Sequence, residues 1–186
     1  MTRLVPYITM ALLMLGGLLF GLMANPALAA NAHGFTFVSI DGDPLPLAKY
    51  KGKALLVVNT ATECGNTHQL GDLQKLWETY KDKGLVLVGV PSDDFGQEPR
   101  DNKAIKDFCE TNFSVDFPMT ELTAIKGAKA HPFYKHAVAQ LGDKSEPSWN
   151  FHKFLVGPDG KMVDYFGTGA QPLGGKLEQA VQAVLP

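Results

Sequence analysis

The sequence predicts an α/β domain with a central mixed sheet flanked by helices, and three observations carry that prediction. Ala54-Leu-Leu-Val-Val and Leu85-Val-Leu-Val-Gly-Val are continuous apolar runs of strand length, as expected of strands buried on both faces. Between them Leu70, Leu73, Leu76, Trp77 and Tyr80 recur at helical spacing, so strand, helix and strand form a right-handed crossover with a parallel pair. Further on, Gly157-Pro-Asp-Gly separates two strand-like runs, Asn150 to Val156 and Met162 to Phe166, and marks an antiparallel turn.

The remaining elements follow in chain order. Phe35 to Ile40 alternates apolar with polar residues, and Asp41-Gly-Asp-Pro turns it back towards Leu45 and Leu47, as in a small hairpin. Lys83-Gly84 stops the first helix. Pro91 to Asp101 is polar and turn-rich. Asn102 can cap a helix carrying Ile105, Phe108, Cys109 and Phe113. A shorter helix is expected around His131 to Leu141, and Leu177, Ala180, Val181 and Val184 give a closing amphipathic helix. This order of elements is that of a thioredoxin-like fold. Fold alone does not choose a function.

Composition bounds the rest. The 186 residues are 45% hydrophobic and 19% charged, too apolar for disorder. With 17 basic and 19 acidic side chains the net charge is −2, so no basic field points to nucleic acid. Two cysteines exclude a disulfide scaffold.

Arg3 is the only charge before Asp41, and the run from Leu4 to Ala24 is uncharged. Asn25-Pro26 ends it, and Ala27-Leu28-Ala29 supplies a small-x-small cleavage pattern. Residues 1–29 are therefore expected to be a cleaved signal peptide, with a retained membrane anchor as the alternative. Residues 30–186 then form one exported domain, expected in the periplasm, where disulfides are permitted.

Chemistry centres on Cys64, between the end of a buried strand and the start of a helix, where unpaired backbone N–H groups favour an anion. Thr67 stands where a Cys-x-x-Cys motif would have its second thiol, so no dithiol centre lies within this loop. The segments Val58-Asn-Thr-Ala-Thr-Glu-Cys-Gly-Asn-Thr, Phe95-Gly-Gln-Glu-Pro, Phe108-Cys-Glu-Thr-Asn-Phe, Phe117-Pro-Met and Trp149-Asn-Phe-His-Lys-Phe-Leu-Val together resemble the glutathione peroxidase family in order and spacing, over residues 35–186. The resemblance implies a peroxidatic cysteine at Cys64, surrounded by Gln97, Trp149 and Asn150. Amide and indole N–H groups can stabilise a thiolate and the oxygen expelled from a peroxide without being nucleophiles themselves. The same resemblance places Cys109 at the resolving position of two-cysteine members, where it would condense with a Cys64 sulfenic acid to a disulfide. Asn66 occupies a place more often aromatic in the family, which alters the rim of the site.

The resemblance further implies hydrogen peroxide and organic or lipid hydroperoxides as substrates and recycling by a thioredoxin-like dithiol reductant or glutathione; no Gly-x-Gly-x-x-Gly follows a strand, and no cofactor is expected. Only seven residues separate Leu141 from Trp149, without the insertion of tetrameric members, so a monomer or weak dimer is expected. The five histidines form no ligand-spaced pair, and no metal is expected. Two other readings stay open on the residues alone. One is a thiol–disulfide oxidoreductase, the other a non-catalytic thioredoxin-like binding module with a structural disulfide.

Overall fold

The computed structural model describes residues 31–186, so the export segment expected over residues 1–29 lies outside the described residues. Thr36–Val38 (β1) and Pro44–Pro46 (β2) form the antiparallel hairpin expected from the alternation around Phe37. Ala54–Thr60 (β3) and Leu85–Pro91 (β4) run parallel, joined by the helix Gln69–Tyr80 (α1). Gly84 takes a left-handed φ of +96° after one further turn, which lets the chain reverse directly into β4.

Two more helices, Asn102–Phe113 (α2) and Pro132–Leu141 (α3), precede Lys153–Val156 (β5) and Met162–Phe166 (β6). Lys176–Val184 (α4) follows. The order β4-β3-β5-β6, with β5 and β6 antiparallel to their neighbours, makes the sheet mixed. Both faces are covered. Leu56 and Val58 point to Leu70, Leu73, Ile105 and Leu177, while Leu55 and Val57 join Phe133, Tyr134 and Phe154 on the other side. The two-residue period of a strand divides one apolar run between two cores.

Two details depart from the sequence expectation. The helix α2 is capped by Asp101, whose carboxylate accepts from Ala104 N at 2.8 Å, and Asn102 instead accepts from Leu122 N. The last strand before the turn begins at Lys153 rather than Asn150, because Phe151 lies at a φ of +60°. That conformation is rare for a bulky residue. Full burial of the Phe151 ring and a bond from its N–H to Asn59 O at 2.7 Å hold it there.

Candidate active site

From Ala61 to His68 the chain passes through successive turns into α1. Thr67 organises them. Its hydroxyl accepts from Cys64 N at 3.2 Å and lies 2.9 Å from Ala61 O and 2.7 Å from Cys64 O, donating its one hydrogen to that pair of carbonyls. Cys64 is thereby turned inward and is 7% exposed. Its Sγ accepts from Asn66 N at 3.4 Å and from Asn66 Nδ2 at 3.8 Å. Both contacts make the sulfur an acceptor, the role a thiolate fills.

The polar loop before α2 clamps this turn. Glu63 N donates to Gln97 O at 3.1 Å. Glu98, 2% exposed, accepts from the N–H of Thr62 at 2.8 Å and from its hydroxyl. Burial pushes the Glu98 carboxyl above the usual range, against the opposing effect of the Thr62 bonds. Arg100 donates to Thr62 and to Glu63.

From the other side of the sheet come Trp149 and Asn150. Asn150 is fully buried, and its Nδ2 donates to Gln97 Oε1 at 2.9 Å. Its Oδ1 has no partner among the described residues. Its backbone carbonyl accepts from the Thr168 hydroxyl at 2.7 Å. Trp149 is 41% exposed, with its ring 5.3 Å from that of Phe95, and its carbonyl accepts from Asn59 Nδ2 at 3.2 Å.

The predicted residues thus gather at the end of the sheet where β3 finishes. Gln97 and Asn150 are joined directly, and Gln97 is tied to the neighbour of Cys64. Among the described residues, no hydrogen bond from Gln97, Trp149 or Asn150 reaches the sulfur itself. Its donors come from Asn66, which the sequence reading placed only on the rim.

Cys109 is a free thiol on α2, 1% exposed, in the same apolar cluster as Cys64, itself a free thiol. Burial first, then the charges of Glu98 and Glu110, push its pKa up to about 12. In this position it is protonated and inert at neutral pH. Among the described residues, no group of three or more His, Cys, Asp or Glu could hold a metal ion, and no helix is long and apolar enough to cross a membrane.

Comparison with known proteins identifies the family. The family model described as glutathione peroxidase matches residues 32–138. The chain is 41% identical over 149 residues to hydroperoxy fatty acid reductase gpx1 of Synechocystis sp., covering 75% of this chain and 88% of that protein. It is 39% identical over 166 residues to glutathione peroxidase-like peroxiredoxin GPX5 of Chlamydomonas reinhardtii, covering 87% and 100%. The crystal structure of Trgpx in apo form superposes with a TM-score of 0.69 at 28% identity, over 84% of this chain and 96% of that one. A thiol:disulfide interchange protein of the thioredoxin family from Chlorobium tepidum TLS gives 0.64 at 18% identity, over 84% and 96%, a likeness of fold alone.

The chain belongs to the glutathione peroxidase family, built on a thioredoxin-like fold. Of the readings the residues left open, family membership selects the peroxidase.

Proposed function

We propose that the protein is an exported thiol peroxidase in which Cys64 attacks the peroxide and Cys109 resolves the oxidised sulfur. The observation that carries this reading is the convergence of a sulfur accepting two N–H contacts with an amide pair, Gln97 and Asn150, fixed beside Glu63, the residue before it in the loop. The Cys64 thiolate attacks one peroxide oxygen, so an S–O bond forms and the O–O bond breaks. The expelled hydroxide or alkoxide takes up a proton and leaves as water or alcohol.

Gln97, with its oxygen engaged by Asn150, has its Nε2 hydrogens available for the expelled oxygen, and the part-exposed Trp149 offers an indole N–H. Donors aimed at developing charge are where a transition state gains most.

Cys64 is left as a sulfenic acid. Attack by the Cys109 sulfur forms the disulfide and expels water. Because Cys109 is buried on α2 with its thiol held protonated, that helix opens locally before the sulfurs meet. A dithiol reductant of thioredoxin type, or glutathione, returns both thiols by exchange. Hydrogen peroxide and organic or lipid hydroperoxides are the proposed substrates. The names of the relatives, a hydroperoxy fatty acid reductase and a peroxiredoxin, support this choice. Removal of residues 1–29 at the Ala27-Leu28-Ala29 site delivers the enzyme to the periplasm as a monomer or weak dimer.

Peroxide consumption by the purified mature protein with a dithiol reductant tests the assignment. Turnover is lost in Cys64→Ser, and Cys109→Ser accumulates a sulfenic acid trapped by dimedone. Undiminished turnover in Cys64→Ser overturns the nucleophile, and undiminished thioredoxin-supported turnover in Cys109→Ser overturns the resolving role. Mass spectrometry of the protein from periplasmic extract reads the cleavage site.

A further inference from the structure

Lys153 is the one lysine without solvent exposure among the described residues. It stands in β5 opposite Val58, at a register an apolar side chain would fill without desolvating a charge. Its Nζ donates to Gln69 Oε1 at 2.6 Å, to Ala170 O at 2.8 Å and to Thr168 O at 3.5 Å. All three partners are neutral oxygens. Burial accordingly pulls its pKa down to about 8.

An ammonium group has donors only, so Gln69 must turn its oxygen towards Lys153. The Gln69 Nε2 then donates to Thr168 O at 2.9 Å and faces Asn66 Oδ1 at 3.5 Å. With its oxygen so engaged, Asn66 turns Nδ2 to the Cys64 sulfur. Each amide in this series could rotate to exchange its N and O, and a single exchange would set an acceptor against the sulfur. The ammonium fixes the sense of the whole series.

We propose that Lys153 is a positioning residue for the Cys64 chemistry, acting through Gln69 and Asn66 to keep a side-chain N–H directed at the sulfur. This rests on the reading of Cys64 as the nucleophile. Other charged and titratable groups around the loop are engaged elsewhere. Glu98 and Arg100 bond Thr62, Arg100 also bonds Glu63, His68 bonds the Gly65 carbonyl, Asp72 pairs with Lys75, and His152 stacks on Tyr165.

The test is the rate of Cys64 alkylation by iodoacetamide as a function of pH, measured on the full chain in a Cys109→Ser background. Lys153→Met removes the ammonium. Gln69→Glu keeps a partner for Lys153 but offers Asn66 a carboxylate oxygen, so the Asn66 amide turns and presents its own oxygen to the sulfur. Both variants should alkylate about three- to tenfold more slowly at neutral pH, with the profile displaced upward by about half a unit to one unit. In an Asn66→Ala background, Gln69→Glu should have no further effect.

Profiles superimposing on the parent in both folded variants overturn the proposal. So does an undiminished effect of Gln69→Glu without Asn66, which would mean that the new charge acts on the sulfur directly. Should Lys153→Met fail to fold, Gln69→Glu decides alone. Peroxide turnover in Cys64→Ser is the separate measurement that judges the nucleophile, so failure of the relay and failure of the peroxidase reading are told apart.

Discussion

The amide of fully buried Asn150 donates to the side-chain oxygen of Gln97 at 2.9 Å, and this one bond fixes which end of the Gln97 amide is turned towards Asn150. Asn150→Asp should reverse it, because a carboxylate accepts where the amide donated, and Gln97 would turn its Nε2 inward. We expect kcat/KM for hydrogen peroxide to fall by about 10- to 100-fold, equivalent to about 1.4–2.7 kcal/mol of transition-state stabilisation. Gln97→Leu should fall by a similar factor, and the double variant by little more than either alone, in stopped-flow measurements.

The resolving step should be limited by α2. Asp101 caps that helix through Ala104 N, and its loss should cost about 1 kcal/mol of helix stability. Asp101→Ala is therefore expected to lower the melting temperature while speeding the conversion of sulfenic acid to disulfide. Amide hydrogen exchange should show the added opening confined to residues 102–113. Slower disulfide formation in this variant would contradict a resolving step gated by the helix.

Acid should destabilise the protein through His152. Burial first, and then the neighbouring Lys153 charge, pull its pKa down to about 4. The folded protein thus holds this imidazole neutral while the unfolded chain protonates it between pH 4 and the ordinary value near 6.5. Its contribution to stability is complete above pH 6.5 and is lost as pH falls through that window, up to about 3 kcal/mol. Urea unfolding at pH 7 and pH 4.5 should show a loss that is smaller in His152→Phe by that order.

Removing the Glu98 carboxylate should loosen the Cys64 loop. Glu98→Ala leaves the Thr62 N–H without its acceptor in a buried place, and about 2 kcal/mol of stability should be lost. Thermal unfolding measures it. Alkylation of Cys64 should also become less selective among electrophiles as the turn relaxes.

Much of this architecture could be read from residue order. The runs at Ala54 and Leu85 became fully buried strands, and Gly157 to Gly160 became the turn between β5 and β6. The family resemblance also singled out Gln97 and Asn150, which meet although 53 positions apart. What could not be read were features decided by distant partners. Phe151 has no glycine-like preference for a positive φ, and only its burial and the bond to Asn59 impose one. Lys153 interrupts an apolar strand, and the three oxygens that receive its charge sit at positions 69, 168 and 170. Asn66 differed from the usual family pattern, yet nothing in its neighbours indicated that both of its nitrogens would face Cys64.

The packing of Trp149 against Phe95 has a practical use. The protein has two tryptophans, and the other, Trp77, is half-buried on α1 beside Lys81. An indole open to water beside the candidate active site makes the chain its own optical probe. Emission collected during a turnover would follow the rearrangement of the rim in real time, with no dye attached and no residue replaced.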